Sequence, residues 1–232
     1  IETAPGAVRG THGARGLVAL HGWGPRTELV GWGDIGVITF SGHGSWEPDA
    51  SGDEPDRRDE GLVPHDVLDY GLLADDKLHD LFAERRHGGR LIMLSDSCHS
   101  GTVNRLAGPV MGGRPRVRYL PPQVHLHEDE MPYARAMERV PVRGRSRPTA
   151  LLMAACADTE YAYDGYGSHR MGAFTVVALS ALDKLDEGAT YRDWMRKIRE
   201  LLPAVDVPQT PQLFGTRTQL DWPVFEPVRS AG

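Results

Sequence analysis

The architecture of the domain can be predicted from one segment in the middle of the chain, Arg90-Leu-Ile-Met-Leu-Ser-Asp-Ser-Cys-His-Ser-Gly101. Its four consecutive apolar residues, Leu91 to Leu94, follow Gly88-Gly89 and predict a short buried strand. A thiol, an imidazole and several hydroxyls come directly after this strand, at its carboxyl end. Because open α/β sheets bind their ligands outside the carboxyl ends of their strands, the segment predicts a functional site at that edge.

A second apolar run, Ile35 to Phe40, also ends in small and polar residues, in the order Ser41-Gly-His-Gly44. One predicted strand therefore delivers Cys98, and another delivers His43, 55 residues earlier in the chain. A neutral thiol is a poor nucleophile, and an adjacent imidazole can take its proton and later protonate a leaving amine. The pair predicts a cysteine nucleophile with a histidine base. For either residue taken alone, a buried structural thiol or a core histidine is the alternative.

The rest of the chain alternates predicted strands with predicted helices. Strands that alternate with helices imply a mainly parallel β-sheet flanked by helices, which is the α/β class. Thr190 supplies an N-cap for the last helix, which should end before Pro203. Ser45 to Pro64 is dense in acid, Gly and Pro, and predicts a surface loop. Further strands are predicted at Leu17–Leu20 and Thr149–Ala155. Helices are predicted at 75–87, Gly172–Leu185 and Tyr191–Leu202.

Composition narrows the classes of function. The chain has 232 residues, 40% of them hydrophobic, and a net charge of −6, which suits one large α/β domain. It contains no basic stripe for nucleic acid and no apolar run long enough for a membrane span. The two cysteines, Cys98 and Cys156, do not make a disulfide framework, so we expect a reducing, cytoplasmic setting. Of 26 basic residues only Lys77, Lys184 and Lys197 are lysine, which favours a GC-rich bacterial source.

At these residues the chain resembles the metacaspases, a family of caspase-like cysteine peptidases. The motifs that carry the resemblance are Phe40-Ser-Gly-His-Gly44 and Ser95-Asp-Ser-Cys-His-Ser-Gly101, and caspase-type enzymes place the His about 50 residues before the Cys. The resemblance implies a caspase-like peptidase domain over 34–215, with a poorly assigned segment at 1–33, a long flexible loop at 105–148 and a tail at 216–232. Further matches lie at Ala155-Cys-Ala-Asp-Thr-Glu160, Gly172-Ala-Phe-Thr175 and Gln209-Thr-Pro-Gln212.

The chain departs from the family pattern near its start. The family domain opens with a strand, a long helix and a second strand before the strand that carries the His. Only 13 residues lie between Leu20 and Asp34, which is too few for such a helix. The resemblance therefore implies that the first part of the domain is missing from this chain, or that the sequence joins segments across a gap.

The resemblance also implies a role for each residue of the two motifs. His43 would be the general base and Cys98 the nucleophile, and the backbone N–H groups of Gly44 and Cys98 would form the oxyanion hole. Asp96, with Ser41 nearby, would bind a basic side chain, because a carboxylate on the floor of a cleft favours a guanidinium. The competing role for Asp96 is to cap a loop through backbone N–H groups. We therefore expect cleavage of protein or peptide substrates after Arg or Lys, with no cofactor for the chemistry itself.

Regulation and biological setting follow from the same resemblance. Arg143, Arg145 and Arg147 are candidate points of self-cleavage in an exposed segment, and a solvated basic loop is the alternative. In bacteria, caspase-like domains often act in regulated cell death or antiphage defence, for example by cleaving a pore-forming protein. Two other functions stay open: a catalytically silent scaffold that binds a partner, and an acyl or thioester hydrolase that uses the same Cys and His.

Calcium is the metal that the resemblance implies. Many metacaspases need it, and Asp59, Asp75 and Asp76 match three family positions, with 16 residues from the first to the second. Carboxylate oxygens are the ligands that calcium prefers. The fourth family position holds Arg105, whose charge would repel the ion, and Asp75 and Asp76 also suit a helix N-terminus. Zinc is disfavoured, because the chain lacks a C-x-x-C or H-x-x-x-H ligand pair.

Overall fold

The computed structural model describes residues 17–20, 30–49, 57–98, 116–126, 149–158, 160–164 and 171–226. A 3-10 helix at Pro122–Val124 accompanies ten strands and five helices in these ranges. The strands are β1 (Leu17–Leu20), β2 (Ile35–Ser41), β3 (Gly44–Pro48), β4 (Arg58–Leu62), β5 (Leu73–Ala74), β6 (Arg90–Asp96), β7 (Arg116–Val117), β8 (Leu151–Ala154), β9 (Tyr163–Asp164) and β10 (Gln212–Phe214). The helices are α1 (Val67–Tyr70), α2 (Asp75–Ala83), α3 (Ala173–Leu182), α4 (Tyr191–Arg199) and α5 (Arg217–Leu220).

A five-stranded sheet with the order β1-β2-β6-β8-β10 forms the centre of the domain. Its first four strands run parallel to one another, and β10 pairs antiparallel with β8. The remaining strands form a three-stranded antiparallel sheet, β3-β4-β5, and a two-stranded one, β7-β9. The predicted class, a mainly parallel sheet flanked by helices, is confirmed.

The apolar run of β6 is explained by burial on both faces of the sheet. Leu91 and Met93 pack in one cluster with Phe82 of α2, whereas Ile92 belongs to the cluster that contains Trp194 of α4. Successive side chains of a strand point to opposite faces, so a strand covered by helices on both sides needs apolar residues at every position. The strand thereby holds its carboxyl end in a fixed place for the residues that follow.

Helix α4 begins where the sequence predicted. The Thr190 side chain accepts a hydrogen bond from the Asp193 N–H at 3.2 Å, and the Asp193 carboxylate bonds back to Thr190, which makes a capping box. Trp194 and Ile198 are buried. The helix ends at Arg199, before the predicted end at Leu202, and Leu201 is 45% exposed.

The prediction of a surface loop between Ser45 and Pro64 is wrong at both ends of that stretch, where strands β3 and β4 lie, and residues 50–56 lie outside the described residues. Strands β3 and β4 pair as an antiparallel hairpin, and Trp46 at its centre is completely buried. The Arg58 guanidinium lies 4.6 Å from the centre of the Trp46 ring. The stretch is rich in acidic residues and glycine, which is typical of an exposed loop. One face of the hairpin is nevertheless covered, so the polar composition did not predict the burial of Trp46.

Part of the segment that we expected to be a flexible loop, 105–148, packs against this hairpin. Strand β7 pairs with β9, and the His125 ring lies 2.8 Å from the Ser45 hydroxyl. Residues of the expected tail also pack inward, because the Phe225 ring meets Trp194 edge-on at 5.6 Å. Within the described ranges no helix is both long enough and apolar enough to cross a membrane.

Candidate functional site

The two predicted site residues leave the sheet side by side. Ser41 of β2 is paired with Asp96 of β6 in the parallel register, and His43 and Cys98 each stand two residues beyond that pair. The Gly42 N–H extends the pairing by donating to the Asp96 carbonyl at 3.3 Å. Because the strands are parallel neighbours, both residues emerge at the same carboxyl edge of the sheet.

His43 occupies the short turn between β2 and β3. Its carbonyl accepts a hydrogen bond from the Val63 N–H at 2.9 Å, which ties the turn to the hairpin. Although the side chain keeps contact with solvent, partial burial lowers the pKa of His43, and the nearby Arg118 guanidinium acts in the same direction against the charge of Asp164. The imidazole is therefore neutral at pH 7 and able to accept a proton.

Cys98 is completely buried, and its sulfur is held by backbone groups. The Ala162 N–H donates to Sγ at 2.7 Å, and the Ala162 carbonyl lies 3.5 Å from the thiol. Burial raises the pKa of Cys98, but hydrogen bonds from the Cys156 thiol and from the backbone of Ala162 and Arg118 more than offset this and lower it. The pKa of Cys156 is raised by the same hydrogen bond and by burial. Cys98 is thus the thiol of the pair that ionises first.

Two backbone N–H groups at this edge point at one oxygen atom. The N–H groups of Gly44 and Cys98 donate to the carbonyl oxygen of Arg118, at 3.1 and 3.2 Å respectively. These are the groups that the sequence predicted for an oxyanion hole, and they come from the ends of two different strands. Their convergence requires the parallel register described above.

The Asp96 carboxylate lies beneath this edge and is almost fully buried. Its Oδ2 accepts hydrogen bonds from the N–H, at 3.1 Å, and the hydroxyl of Thr175, in the first turn of α3. The capping role considered above was that of a loop cap, whereas Asp96 accepts one backbone N–H in the first turn of a helix, whose N-terminus favours negative charge. Burial raises the pKa of Asp96, against the opposing effects of Arg118 and Thr175. A side chain at Gly172 would overlap the carboxylate, so glycine lets α3 approach it.

The side chain of Arg118 fills the space between Asp96 and its neighbours. Its Nη1 donates to the Ser41 hydroxyl at 2.6 Å and to the Asp96 carbonyl at 2.7 Å, and lies 3.7 Å from Asp96 Oδ1. Its Nη2 donates to the Asp164 carboxylate at 3.0 Å. Asp96 Oδ1 has no hydrogen-bond partner among the described residues. The two residues predicted to bind a basic side chain do surround a guanidinium, together with Asp164.

Of the acidic residues considered for calcium, Asp75 and Asp76 begin α2, and Asp59 of β4 is close enough for its charge to act on Asp75. Burial, followed by the charges of Asp76 and Asp59, raises the pKa of Asp75 to about 6. In the part of the chain that the structure describes, no group of three or more His, Cys, Asp or Glu side chains is arranged to hold a metal ion. Arg105 lies outside the described residues, as do the candidate self-cleavage points Arg143, Arg145 and Arg147.

Comparison with known proteins agrees with this geometry. A family model described as "Metacaspase, peptidase C14 domain" matches residues 28–107, a range that contains both His43 and Cys98. This part of the chain matches the metacaspase family. This confirms the resemblance drawn from the two motifs and relates the chain to cysteine peptidases.

Named metacaspases are similar over different lengths of the chain. Metacaspase-1 of Arabidopsis thaliana is 29% identical over 171 residues, which are 72% of this chain and 43% of that protein. Metacaspase-1 of Yarrowia lipolytica is 49% identical over 68 residues, 29% of this chain and 15% of that protein. The chain therefore spans less than half the length of these metacaspases. Protein GSU0716 from Geobacter sulfurreducens, of known structure, is similar with a TM-score of 0.61 and 32% identity, over 88% of this chain and 75% of that one. With the family match, it confirms the expected caspase-like architecture.

Three residues of this site were not predicted from the sequence: Arg118, Asp164 and Ala162. Arg118 lies in a stretch rich in Arg, Pro and Gly, whose composition is typical of a linker. The one available signal was a short run with strand propensity, Val117 to Leu120, which is too brief to predict a strand. The contacts that define the three residues come from distant parts of the chain, so only the folded arrangement reveals them.

Proposed function

We propose that this metacaspase is an active cysteine endopeptidase in which Cys98 is the nucleophile and His43 the general base. The Cys98 sulfur would attack the carbonyl carbon of the scissile bond, and His43 would protonate the amine that leaves. Water activated by His43 would then hydrolyse the thioester and restore the thiol. The lowered pKa of Cys98 and the neutral imidazole of His43 support these roles.

The oxyanion that forms in each step would be bound by the N–H groups of Gly44 and Cys98. Support comes from the fact that both already donate to a single carbonyl oxygen, that of Arg118. Donors fixed before the reaction need no reorganisation when charge develops on the oxygen. Loss of one such donor typically costs about 100-fold or more in rate.

Cleavage after Arg is the specificity that we propose, and one observation carries it. A guanidinium, that of Arg118, is held between the Ser41 hydroxyl and the carboxylates of Asp96 and Asp164. Several donors in a planar fork suit this set of acceptors, and Lys offers only a single point charge. We therefore expect Lys to be accepted less well than Arg, and Asp to be rejected by charge repulsion.

A panel of fluorogenic peptides that end in Arg, Lys, Gln or Asp tests this function. Wild type should turn over the Arg peptide best, and Cys98→Ala and His43→Ala should lose turnover by about 1,000-fold or more. Turnover of Asp peptides without turnover of Arg peptides would remove the specificity claim. Equal activity of wild type and Cys98→Ala would remove the mechanism. Ester or thioester turnover without peptide turnover would favour the acyl hydrolase.

The alternative function is a catalytically silent scaffold. The observation in its favour is that Cys98 is completely buried and its sulfur bonds to the backbone of Ala162. Iodoacetamide distinguishes the two, because a thiolate that is exposed during turnover reacts at neutral pH and a structural thiol does not. Alkylation that is confined to Cys98 and prevented by an Arg-ended inhibitor supports the enzyme, and no alkylation of Cys98 in the native protein supports the scaffold.

Activation by calcium is a further part of the proposal. Its support is that the charges of Asp76 and Asp59 act on Asp75, so that an ion would draw these three hard carboxylate ligands into an arrangement that the described residues do not have without it. Peptide turnover in the presence of calcium or of a chelator, with calorimetry of calcium binding, tests this. Full activity in chelator, with no heat of calcium binding, would contradict activation by calcium.

Self-processing and a place in bacterial cell death or defence complete the proposed function. Their support is the metacaspase family and the preference for Arg over Lys in the sequence. We propose a cytoplasmic enzyme whose substrates include a pore-forming protein and whose own chain is cut at Arg143, Arg145 or Arg147. Intact mass spectrometry of wild type beside Cys98→Ala would locate such cuts, and identical masses for the two would exclude them.

A further inference from the structure

Residues 116–120 contact the catalytic edge of the sheet as a bound peptide would. We propose that this occupying segment is an internal ligand of the substrate cleft, that Arg118 takes the place of the residue after which substrates are cut, and that the protein is latent until the segment leaves. The inference rests on the proposed function in assigning the cleft to substrates. It also assigns Asp164 to the specificity pocket.

The backbone of the occupying segment is paired on both of its sides. Strand β7 forms an antiparallel ladder with β9, and the Arg118 N–H continues it by donating to the Ala162 carbonyl at 2.9 Å. Beyond Arg118, the Leu120 N–H donates to the Gly44 carbonyl at 3.0 Å. Addition of an extended strand to an exposed edge is a common way in which proteins bind peptides. The segment therefore runs through the cleft and does not merely touch it.

The carbonyl of Arg118 uses the donors that catalysis would need. It accepts from both the Gly44 and the Cys98 N–H groups, so no substrate oxygen can bind there while the segment is in place. Cys98 is 0% exposed in the same arrangement. A substrate must therefore displace residues 116–120 before its carbonyl carbon can approach the sulfur.

The side chain of Arg118 explains why the segment is retained. Its guanidinium is 8% exposed and lies between two carboxylates, at 3.0 Å from Asp164 and 3.7 Å from Asp96. A buried cation is stable only when opposite charges and acceptors surround it. An external Arg would need the same partners, and so Asp164, on the strand that pairs with the segment, should contribute to specificity as Asp96 does.

Arg118→Gln tests the proposal, with Arg192→Gln as the matched control. Arg192 is also paired with an aspartate, Asp221 at 3.0 Å, but lies on the exposed face of α4. Two rates are measured: alkylation of Cys98 by iodoacetamide, followed by mass spectrometry of its peptide, and kcat/KM for an Arg-ended peptide. We expect both rates to rise tenfold or more in Arg118→Gln and to stay at the wild-type level in Arg192→Gln.

The two rates separate failure of this inference from failure of the proposed function. Wild-type turnover of Arg peptides with no gain in either rate on Arg118→Gln overturns the internal ligand and keeps the peptidase. Faster alkylation of Cys98 without peptide turnover in any variant keeps the internal ligand and removes the peptidase.

A second variant keeps the test decisive if Arg118→Gln does not fold, which circular dichroism would show. Asp164→Asn leaves the chain geometry intact, and its side chain is 37% exposed, so the substitution is tolerable. Because Asp164 holds both the occupying segment and the substrate, alkylation of Cys98 should become faster while KM for the Arg peptide rises. Alkylation and KM that both match wild type would overturn the proposal.

Discussion

Replacement of Asp75 by Asn should stabilise the protein at neutral pH. Burial and then the charges of Asp76 and Asp59 raise the pKa of Asp75 from 3.8 to about 6. The folded state therefore disfavours the ionised carboxylate, and the cost grows as the pH rises above 3.8 and is complete above about 6. Asn has the same shape, carries no charge and can still accept the hydrogen bond that the Asp76 N–H donates to Oδ1 at 3.1 Å.

The expected size of this effect follows from the shift in pKa. A change of one in pKa corresponds to about 1.4 kcal/mol, so the rise in the pKa of Asp75 from 3.8 to about 6 sets an upper bound of about 3 kcal/mol. The side chain of Asp75 keeps some solvent contact, which reduces the expected gain to about 1–2 kcal/mol. At a pH below 3.8, where the carboxylate is protonated in both states, the variant and the wild type should differ little.

Urea unfolding in the presence of a chelator, at a pH near 3.5 and again near 7.5, measures the gain. Asp80→Asn is the control, because Asp80 lies on the same helix with a side chain that is 89% exposed, and its effect should stay within about 0.5 kcal/mol. Under the proposed activation by calcium, added calcium should reverse the order, since the ion would stabilise the wild type and not Asp75→Asn. A variant that is less stable than wild type in chelator at neutral pH would refute the electrostatic reasoning.

Three further predictions test the site and its scaffold. Gly172→Ala places a methyl group against the Asp96 carboxylate and should lower kcat/KM for Arg peptides by tenfold or more. The control is Gly31→Ala, whose added methyl meets its neighbours at 3.6 Å or more and should leave kcat/KM unchanged. Cys156→Ala removes a hydrogen bond that lowers the pKa of Cys98. The pH profile for alkylation of Cys98, measured in the Arg118→Gln background, should therefore move to higher pH. Thr190→Ala should cost about 1 kcal/mol in denaturant unfolding, and an unchanged midpoint would contradict its role as a cap.

Local patterns in the sequence were enough to predict the sheet and the ends of its strands. The run Leu91 to Leu94 needed no tertiary information, because a strand buried on both faces must be apolar throughout. Thr190 was recognisable as a cap because its hydrogen bond reaches only three residues along the chain. The edge at which His43 and Cys98 both lie followed from the rule that parallel strands share a carboxyl end.

Features that depend on distant contacts were not predictable. Trp46 is buried in a hairpin whose composition is polar, because packing and not local sequence covers one of its faces. Arg118 is bound by Ser41, Asp96 and Asp164, which lie 77, 22 and 46 residues away along the chain. No local periodicity links these positions, and a run of arginines and prolines resembles a linker until its partners are known.

The covalent link between Arg118 and the rest of the chain determines how the cleft responds to competitors. Only 19 residues separate Cys98 from Arg118 in the sequence, and a tethered ligand competes as though it were present at about millimolar concentration. A free peptide that binds the cleft with the same intrinsic affinity, at about one hundredth of that concentration, would occupy the cleft in roughly one molecule in a hundred. Protein substrates at low concentration would therefore rarely be cleaved, whereas substrates concentrated with the enzyme on a shared surface would be cleaved. Cuts on both sides of residues 116–120 would turn the tether into a diffusing fragment, and dilution of that fragment would leave the enzyme permanently open.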